Sequence, residues 1–325
     1  MKKVLFIILI LFVITGCGNK EEKKPKIIDN SYYQIFEPYK EGSNYTLKDY
    51  DINNVEKMLM QLSTKYFKTN NSFFQEGQFL TNEELKDLLI KYNPTEDVII
   101  DNIPLKPVYI SSIVEQDYLA TNGNIKGISL GIILNKEQIY TKDNKTSIKI
   151  LSDEEVLNYG KLKAQELLDY MRSKEDLKNV KIAIGLYLES NVKGAFKYMG
   201  LSENKKINLD FVDYSYKLLD SNEVMNIDLK NYNNISQIEN KLNTFHLYTN
   251  AIGLYQKNNL ISVEISIEQN YLKQAEILNI ISIINQYLDT FDSYINIKVY
   301  LKSENKIKAF ISKKANEIET YILEG

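Results

Sequence analysis

The chain has 325 residues, of which 44% are hydrophobic, and a formal net charge of −3; it can bury real cores and lacks the clustered basic surface that nucleic acid requires. His246 and Cys17 are the only residues of their types, which excludes zinc sites of the Cys/His kind, and Arg172 is the only arginine, which removes bidentate guanidinium clamps for phosphate. At roughly 150 residues per domain the body reads as two domains, with neither metal nor cofactor expected.

The first element is a leader. Lys2 and Lys3 precede an apolar run from Val4 to Ile14, closed by Thr15, Gly16 and Cys17 before the charged stretch 18–24. This is the layout of a secretory signal, and the run falls well short of the ~20 residues that cross a bilayer. A lone thiol in a secreted chain needs a role. Ile14-Thr15-Gly16-Cys17 is similar to a bacterial lipoprotein box, in which cleavage after Gly16 leaves Cys17 as an acylated N-terminus. Residues 1–16 are therefore read as a lipoprotein signal peptide and 17–30 as a polar tether. The expected location is the extracytoplasmic face of the cell membrane. The expected partners are the membrane itself and lipoprotein-processing peptidases, with no nucleic acid.

Tyr32, Tyr33, Phe36, Tyr39, Tyr45 and Tyr50 follow as an aromatic cluster, read as packing at the edge of a core. Val55, Met58, Leu59, Leu62 and Tyr66 recur at three-and-four spacing and predict a helix over 53–67. Ser72–Leu80 reads as a compact loop or short strand. Thr81-Asn82-Glu83-Glu84 is a capping box opening a helix with Leu85, Leu88 and Leu89 on one face. A strand is expected from Tyr109 to Leu119 and a hairpin at Asn122-Gly123, followed by a half-buried strand in which Ile128, Leu130, Ile132 and Leu134 alternate. Residues 135–149 read as a polar excursion. Ser152–Glu155 is a second capping box, before a helix bearing Leu157, Ala164, Leu167, Leu168 and Met171. Ile182, Ile184, Leu186 and Leu188 then alternate, and Ala195-Phe196 begins a returning strand.

The order then recurs. Ile182–Ser190 lines up with Ile295–Ser303, including Tyr187 with Tyr300 and Leu188 with Leu301; Ala195-Phe196 matches Ala309-Phe310 and Ile128-Ser129-Leu130 matches Ile261-Ser262-Val263. The intervening helix carries Ile277, Ile280, Ile281, Ile284 and Leu288, and a leading helix is expected over 236–245. The first copy is longer by about 20 residues, assigned to the polar excursion. The fold class expected is α+β, with two repeated ββαββ units, each an antiparallel sheet covered by a helix. The first domain, with its N-terminal helices, takes 31–205 and the second 206–325.

Ser72-Phe-Phe-Gln-Glu-Gly-Gln-Phe-Leu80 ahead of the Thr81 helix, and Ile113-Val-Glu-Gln-Asp-Tyr-Leu119 ahead of Gly127-Ile-Ser-Leu-Gly131, resemble the CamS family of Gram-positive lipoproteins, known as sex pheromone precursors. The resemblance extends through the leader and the two-copy body. It implies a lipid-anchored surface protein whose signal peptide yields a small hydrophobic pheromone, here from Ile10, Leu11, Phe12, Val13, Ile14, Thr15 and Gly16. That segment is uncharged and apolar, as any signal core is.

An enzyme finds little support. His246 stands at a helix-to-strand junction, where a buried or interfacial role is expected, and no phosphate-cradling glycine loop occurs. Glu76, Glu115 and Asp117 are the carboxylates open to a cell-wall hydrolase reading. An envelope, peptide or glycan-binding lipoprotein without a pheromone role is the other alternative.

Overall fold

The computed structural model describes residues 33–36, 41–142 and 144–323. The leader, Cys17 and the 17–30 tether lie outside them. In chain order the elements are β1 (Gln34–Ile35), α1 (Ile52–Ser63), β2 (Phe73–Glu76), α2 (Asn82–Tyr92), the hairpin β3 (Val98–Ile100) and β4 (Ile103–Leu105), β5 (Ile110–Leu119) and β6 (Ile125–Leu134). A second hairpin, β7 (Glu137–Lys142) and β8 (Lys145–Ile150), precedes α3 (Asp153–Ser173), β9 (Lys181–Leu188), β10 (Ala195–Ser202) and β11 (Asp210–Phe211). The remainder runs β12 (Tyr214–Leu218), α4 (Asn222–Ile227), α5 (Leu229–Asn243), β13 (Tyr248–Gln256), β14 (Asn259–Gln269), α6 (Gln274–Leu288), β15 (Asn296–Ser303), β16 (Lys306–Lys314) and β17 (Glu317–Ile322).

Two mixed sheets result, one ordered β1-β2-β5-β6-β9-β10-β11 and the other β12 through β17 in sequence. The α+β class holds, but the sheets are not antiparallel throughout: β6 pairs with β9, and β14 with β15, in parallel. The cause is the helix between each pair. α3 and α6 return the chain along one face of the sheet, so the next strand starts from the same end as the last. The flanking pairs β5–β6, β9–β10, β13–β14 and β15–β16 are antiparallel hairpins as expected. The polar excursion is also corrected, because β7 and β8 pair there with Ile139 opposite Ile148.

Alternation sorts the side chains into separate cores, but the strand expected to be half-buried over Ile128–Leu134 is buried on both faces, because α3 covers one face of the first sheet and α1 the other. Ile182, Ile184 and Leu186 pack against Ala164, Leu167, Leu168 and Met171 of α3 in one core. Ile297 and Val299 join Ile277, Ile280 and Ile284 of α6 in another. On the opposite faces Tyr187 lies across from Phe196 and Tyr300 across from Phe310, with ring centroids 5.3 and 5.2 Å apart. The Thr81 box forms in full. Only half of the Ser152 box does: Ser152 Oγ accepts the Glu155 N–H, while the Glu155 carboxylate accepts a 3.0 Å bond from Tyr109 instead.

Helix α1 stops four residues earlier than its apolar spacing predicts. Phe67 leaves the helix and stacks on Tyr118 at 4.5 Å between centroids. A Cβ on Gly127 would stand 2.0 Å from the Phe67 ring, so only glycine admits that ring beside β6. Val55, Met58 and Leu59 of α1 share a third core with Tyr187 and Phe196 of the first sheet and with Tyr214, Tyr216 and Leu254 of the second. The helix is thus seated between the two sheets. Asn54 ties them: its amide nitrogen donates to the Tyr187 hydroxyl (2.8 Å) and the Gly194 carbonyl (2.9 Å), and its oxygen accepts from the Tyr216 hydroxyl (3.0 Å).

Cations of this chain also serve the backbone. Lys313, 2% exposed, donates to the Leu288 and Phe291 carbonyls at 2.8 and 2.7 Å and so caps the end of α6. Arg172 donates to the carbonyls of Leu177, Val180, Ser202 and Asn204. Replacing Asn54 with leucine leaves the buried Tyr187 hydroxyl and Gly194 carbonyl without this partner, and stability in chemical denaturation is expected to fall by about 2–6 kcal/mol, since each orphaned buried group costs about 1–3.

Candidate functional site

The three carboxylates open to hydrolysis do not converge. Glu76 lies opposite Gln116 and Gln75 opposite Asp117, so Glu76 projects from the sheet face opposite to Glu115 and Asp117. Glu76 accepts the Gly42 N–H at 3.1 Å. Glu115, 6% exposed, accepts the N–H groups of Phe79 (3.1 Å) and Leu80 (2.8 Å), and Asp117, 2% exposed, accepts that of Gln78 (3.0 Å). The carboxylates of the Ile113–Leu119 strand therefore bind the backbone of the 77–80 loop, joining the two sequence motifs to each other. Gly77 completes the joint, because a Cβ there would meet Glu115 at 2.3 Å.

Burial, reinforced by the Glu115 carboxylate, holds Asp117 well above its ordinary value. Burial also raises Glu115, against the Leu80 and Phe79 amides that favour its charged form. Asp117 Oδ1 has no other partner among the described residues. A proton on it supplies a hydrogen bond to Glu115. The pair is an internal brace.

A cavity of about 820 Å³ opens elsewhere, at the carboxyl ends of the parallel strands β6 and β9. Asn135, Lys136 and Glu137 follow β6, and Leu188, Glu189 and Ser190 close β9. Adjacent parallel strands whose neighbours run the other way leave their carboxyl ends open, which is where ligands of such sheets sit. Ile139 and Ile150 of the β7–β8 ribbon form one wall, Lys48 and Asp49 another, and Tyr214–Lys217 of β12 the wall facing them. A volume of this size falls in the range of small-ligand sites, roughly 300–1,000 Å³. The corresponding ends of β14 and β15 carry a smaller cavity of about 310 Å³, lined by Gln269, Asn270, Ser303 and Glu304.

The charges of the large cavity are mostly paired. Lys136 meets Asp153 at 2.6 Å, Lys217 meets Glu223, and Lys197 meets Asp213 at 3.1 Å. Lys48 donates to the Glu137 carbonyl, and Lys193 sits over the Tyr216 ring at 5.2 Å. Burial pushes the Glu189 carboxyl from its ordinary 4.5 up to about 7, against the pull of Lys48 and with the help of Glu137. Burial likewise lowers Lys48, which Glu189 and Glu137 partly restore.

None of the sequence-derived candidates lines this cavity. His246 is exposed, in a left-handed turn (φ 58°) at the end of α5, which corrects the buried role expected of it. Glu189 was accessible to sequence reasoning through its place at the end of an alternating strand that follows a helix. Lys48 and Tyr214 were not, since tertiary packing alone brings them there. Gly16, Cys17 and the Ile10–Gly16 segment lie outside the described residues.

The arrangement defines an α+β body with an open cleft. The family model described as CamS sex pheromone cAM373 precursor matches residues 41–319, and the chain belongs to that family. Among solved structures, the sex pheromone precursor of Lactobacillus salivarius subsp. salivarius UCC118 is similar at 21% identity and a TM-score of 0.75, over 85% of this chain and 88% of that one. The C-terminal domain of the sex pheromone staph-cAM373 precursor from Staphylococcus aureus is similar at 25% identity and a TM-score of 0.71, over 85% and 97%. No curated protein matches. No helix among the described residues is long and apolar enough to cross a membrane.

Two titrations test these assignments. Asp117→Asn keeps an acceptor for Gln78 and a donor for Glu115, so its stability at pH 8 should equal or exceed the parent's, while Asp117→Ala should lose about 1–3 kcal/mol in chemical denaturation. Because the folded Glu189 is raised, its contribution is complete below about pH 4.5 and is lost as pH rises through about 7. Glu189→Gln should therefore narrow the difference in melting temperature between pH 5 and pH 8.

Proposed function

We propose that this chain is a lipid-anchored extracytoplasmic protein, cut between Gly16 and Cys17, whose body binds a ligand and whose leader releases a hydrophobic peptide from within Ile10–Gly16. Family membership, together with the Lys2-to-Cys17 layout, carries the reading. The lipidated Cys17 anchors the protein, the 17–30 tether spaces it from the membrane, and lipoprotein-processing peptidases act on the leader. More than one acyl chain is required, because a single chain gives only marginal binding, on the order of 10⁴ M⁻¹.

The body is read as a duplication, with a first domain over 31–205 and a second over 206–325. Pairing register supports it: Ser129 lies opposite Ala183, and Ser262 opposite Asn296, which preserves the sequence alignment of the two copies. Ala195 opposite Leu188 corresponds to Ala309 opposite Leu301. The surplus of the first copy falls between β6 and β9, where the β7–β8 ribbon stands. A binding role rather than hydrolysis is supported by the carboxylates lying on opposite sheet faces.

Cys17→Ser should move the protein out of the membrane fraction, either uncleaved or shed, and change the mass of its N-terminus. Residues 1–17 fused to an unrelated folded domain should still release a peptide from within Ile10–Gly16, detected by mass spectrometry of the medium. An unchanged membrane fraction refutes anchoring; absence of the peptide from the medium of both the unaltered strain and the fusion strain refutes the leader's role.

A further inference from the structure

Between α1 and the second sheet lies a smaller cavity of about 120 Å³, lined by Lys57 of α1, Lys193 of the β9–β10 loop, and Ser262, Glu264, Asn296 and Lys298 of β14 and β15. Its floor is where the two sheets differ. On the first sheet the face turned to α1 carries Ser129 opposite Ala183 and Gly131 opposite Gly185. These small residues let the helix close on the sheet: Ser63 Oγ meets Ser129 Oγ at 2.6 Å, and a Cβ on Gly131 would already touch Leu59 at 3.4 Å. At the aligned positions of the second sheet stand Ser262 opposite Asn296 and Glu264 opposite Lys298. Longer polar and charged side chains there hold a gap open beneath the helix.

We propose that this gap binds a phosphate monoester through its phosphate group, held by the ammonium groups of Lys57, Lys193 and Lys298. The inference rests on the reading that the body binds a ligand. Charge selects this occupant. The three lysines face one carboxylate, that of Glu264, and none of the four forms an ion pair among the described residues, which leaves two positive charges unmatched. Lys193 lies over the Tyr216 ring, a contact that keeps its full charge. A phosphate monoester carries about −1.5 to −2 at pH 7, whereas a phosphodiester or a carboxylate brings a single charge. Lys57 registers the imbalance: desolvation lowers it, and Lys298 and then Lys193 lower it further, each by more than Glu264 restores. A neutral donor is also at hand. The Asn296 amide makes no hydrogen bond, its Oδ1 being buried without a partner, so a half-turn that offers its NH2 group to an anion breaks nothing. The size agrees as well, since about 120 Å³ holds about four waters at roughly 30 Å³ each, or one tetrahedral oxyanion. Lys193 and Tyr216 line the 820 Å³ cavity too, so the alcohol part of the ester has that larger space beside it.

The full chain in detergent micelles would be titrated calorimetrically, at constant ionic strength, with sn-glycerol 3-phosphate, inorganic phosphate, dimethyl phosphate and acetate. Glycerol phosphate should bind at least about tenfold more tightly than dimethyl phosphate or acetate, and more tightly at pH 7.5 than at pH 5, because its second ionisation near pH 6 adds charge. Lys57→Gln and Lys298→Gln should each weaken it about tenfold by removing a charge-assisted hydrogen bond, with the melting temperature of the free protein unchanged. Glu264→Gln should tighten it, a gain that damage to the fold does not produce. Dihexanoyl phosphatidic acid separates the two sources of the group: binding about tenfold tighter than glycerol phosphate places the ester in a lipid headgroup, and equal or weaker binding makes it a soluble ester. The proposal is overturned if glycerol phosphate shows no saturable binding, if it binds no more tightly than inorganic phosphate or dimethyl phosphate, or if the two lysine variants leave its affinity within about twofold. Should Lys217→Gln in the larger cavity abolish binding in that last case, the body still binds a ligand and only this site is lost.

Discussion

The side-chain amide of Asn54 satisfies two tyrosine hydroxyls and a carbonyl drawn from both sheets, and the seating of α1 follows from that network. The Tyr187 hydroxyl is buried by the same apolar packing that brings the first sheet to the helix and needs a partner there, while the half-buried Tyr216 hydroxyl reaches Asn54 from the second sheet. One residue near the start of α1 supplies it. The apolar contacts of Val55, Met58 and Leu59 give adhesion, while the polar network fixes which rotation of the helix is accepted.

The strands and helices were legible because large aliphatic side chains fall on one face of each and impose a period, even where, as in β6 and β9, smaller or polar residues are buried on the other face too. Ile128–Leu134, Ile182–Leu188 and the Ile277–Leu288 stripe all emerged where alternation or three-and-four spacing placed them. Strand direction was not legible. A hydrophobic alternation is the same whether its neighbour runs parallel or antiparallel, and only the helix between β6 and β9 decides it. The β7–β8 ribbon escaped for a related reason: its isoleucines are exposed, so no core demanded them and the polar residues around them dominated the reading.

The two motifs that carry the family resemblance turned out to be halves of one joint. Glu115 and Asp117 hold the amides of Gln78, Phe79 and Leu80, and Gly77 provides the clearance. Their chemistry was readable as carboxylates in a specific sequence context, but their purpose required knowing what lay opposite. The cleft shows the converse. Its ends are set by strand order, a property of the fold, while Lys48 and Tyr214 reach it from distant parts of the chain.

The placement of α1 also has a kinetic consequence. Its own sheet contains the hairpins β5–β6 and β9–β10, which close over short loops, whereas its contacts with Tyr216 and Leu254 join residues far apart in sequence. Such long closures form late, after the local pieces they depend on. As the chain is made from its N-terminus, the face of α1 that will meet the second sheet exists long before its cover does. A partly made chain is thus adhesive at that face.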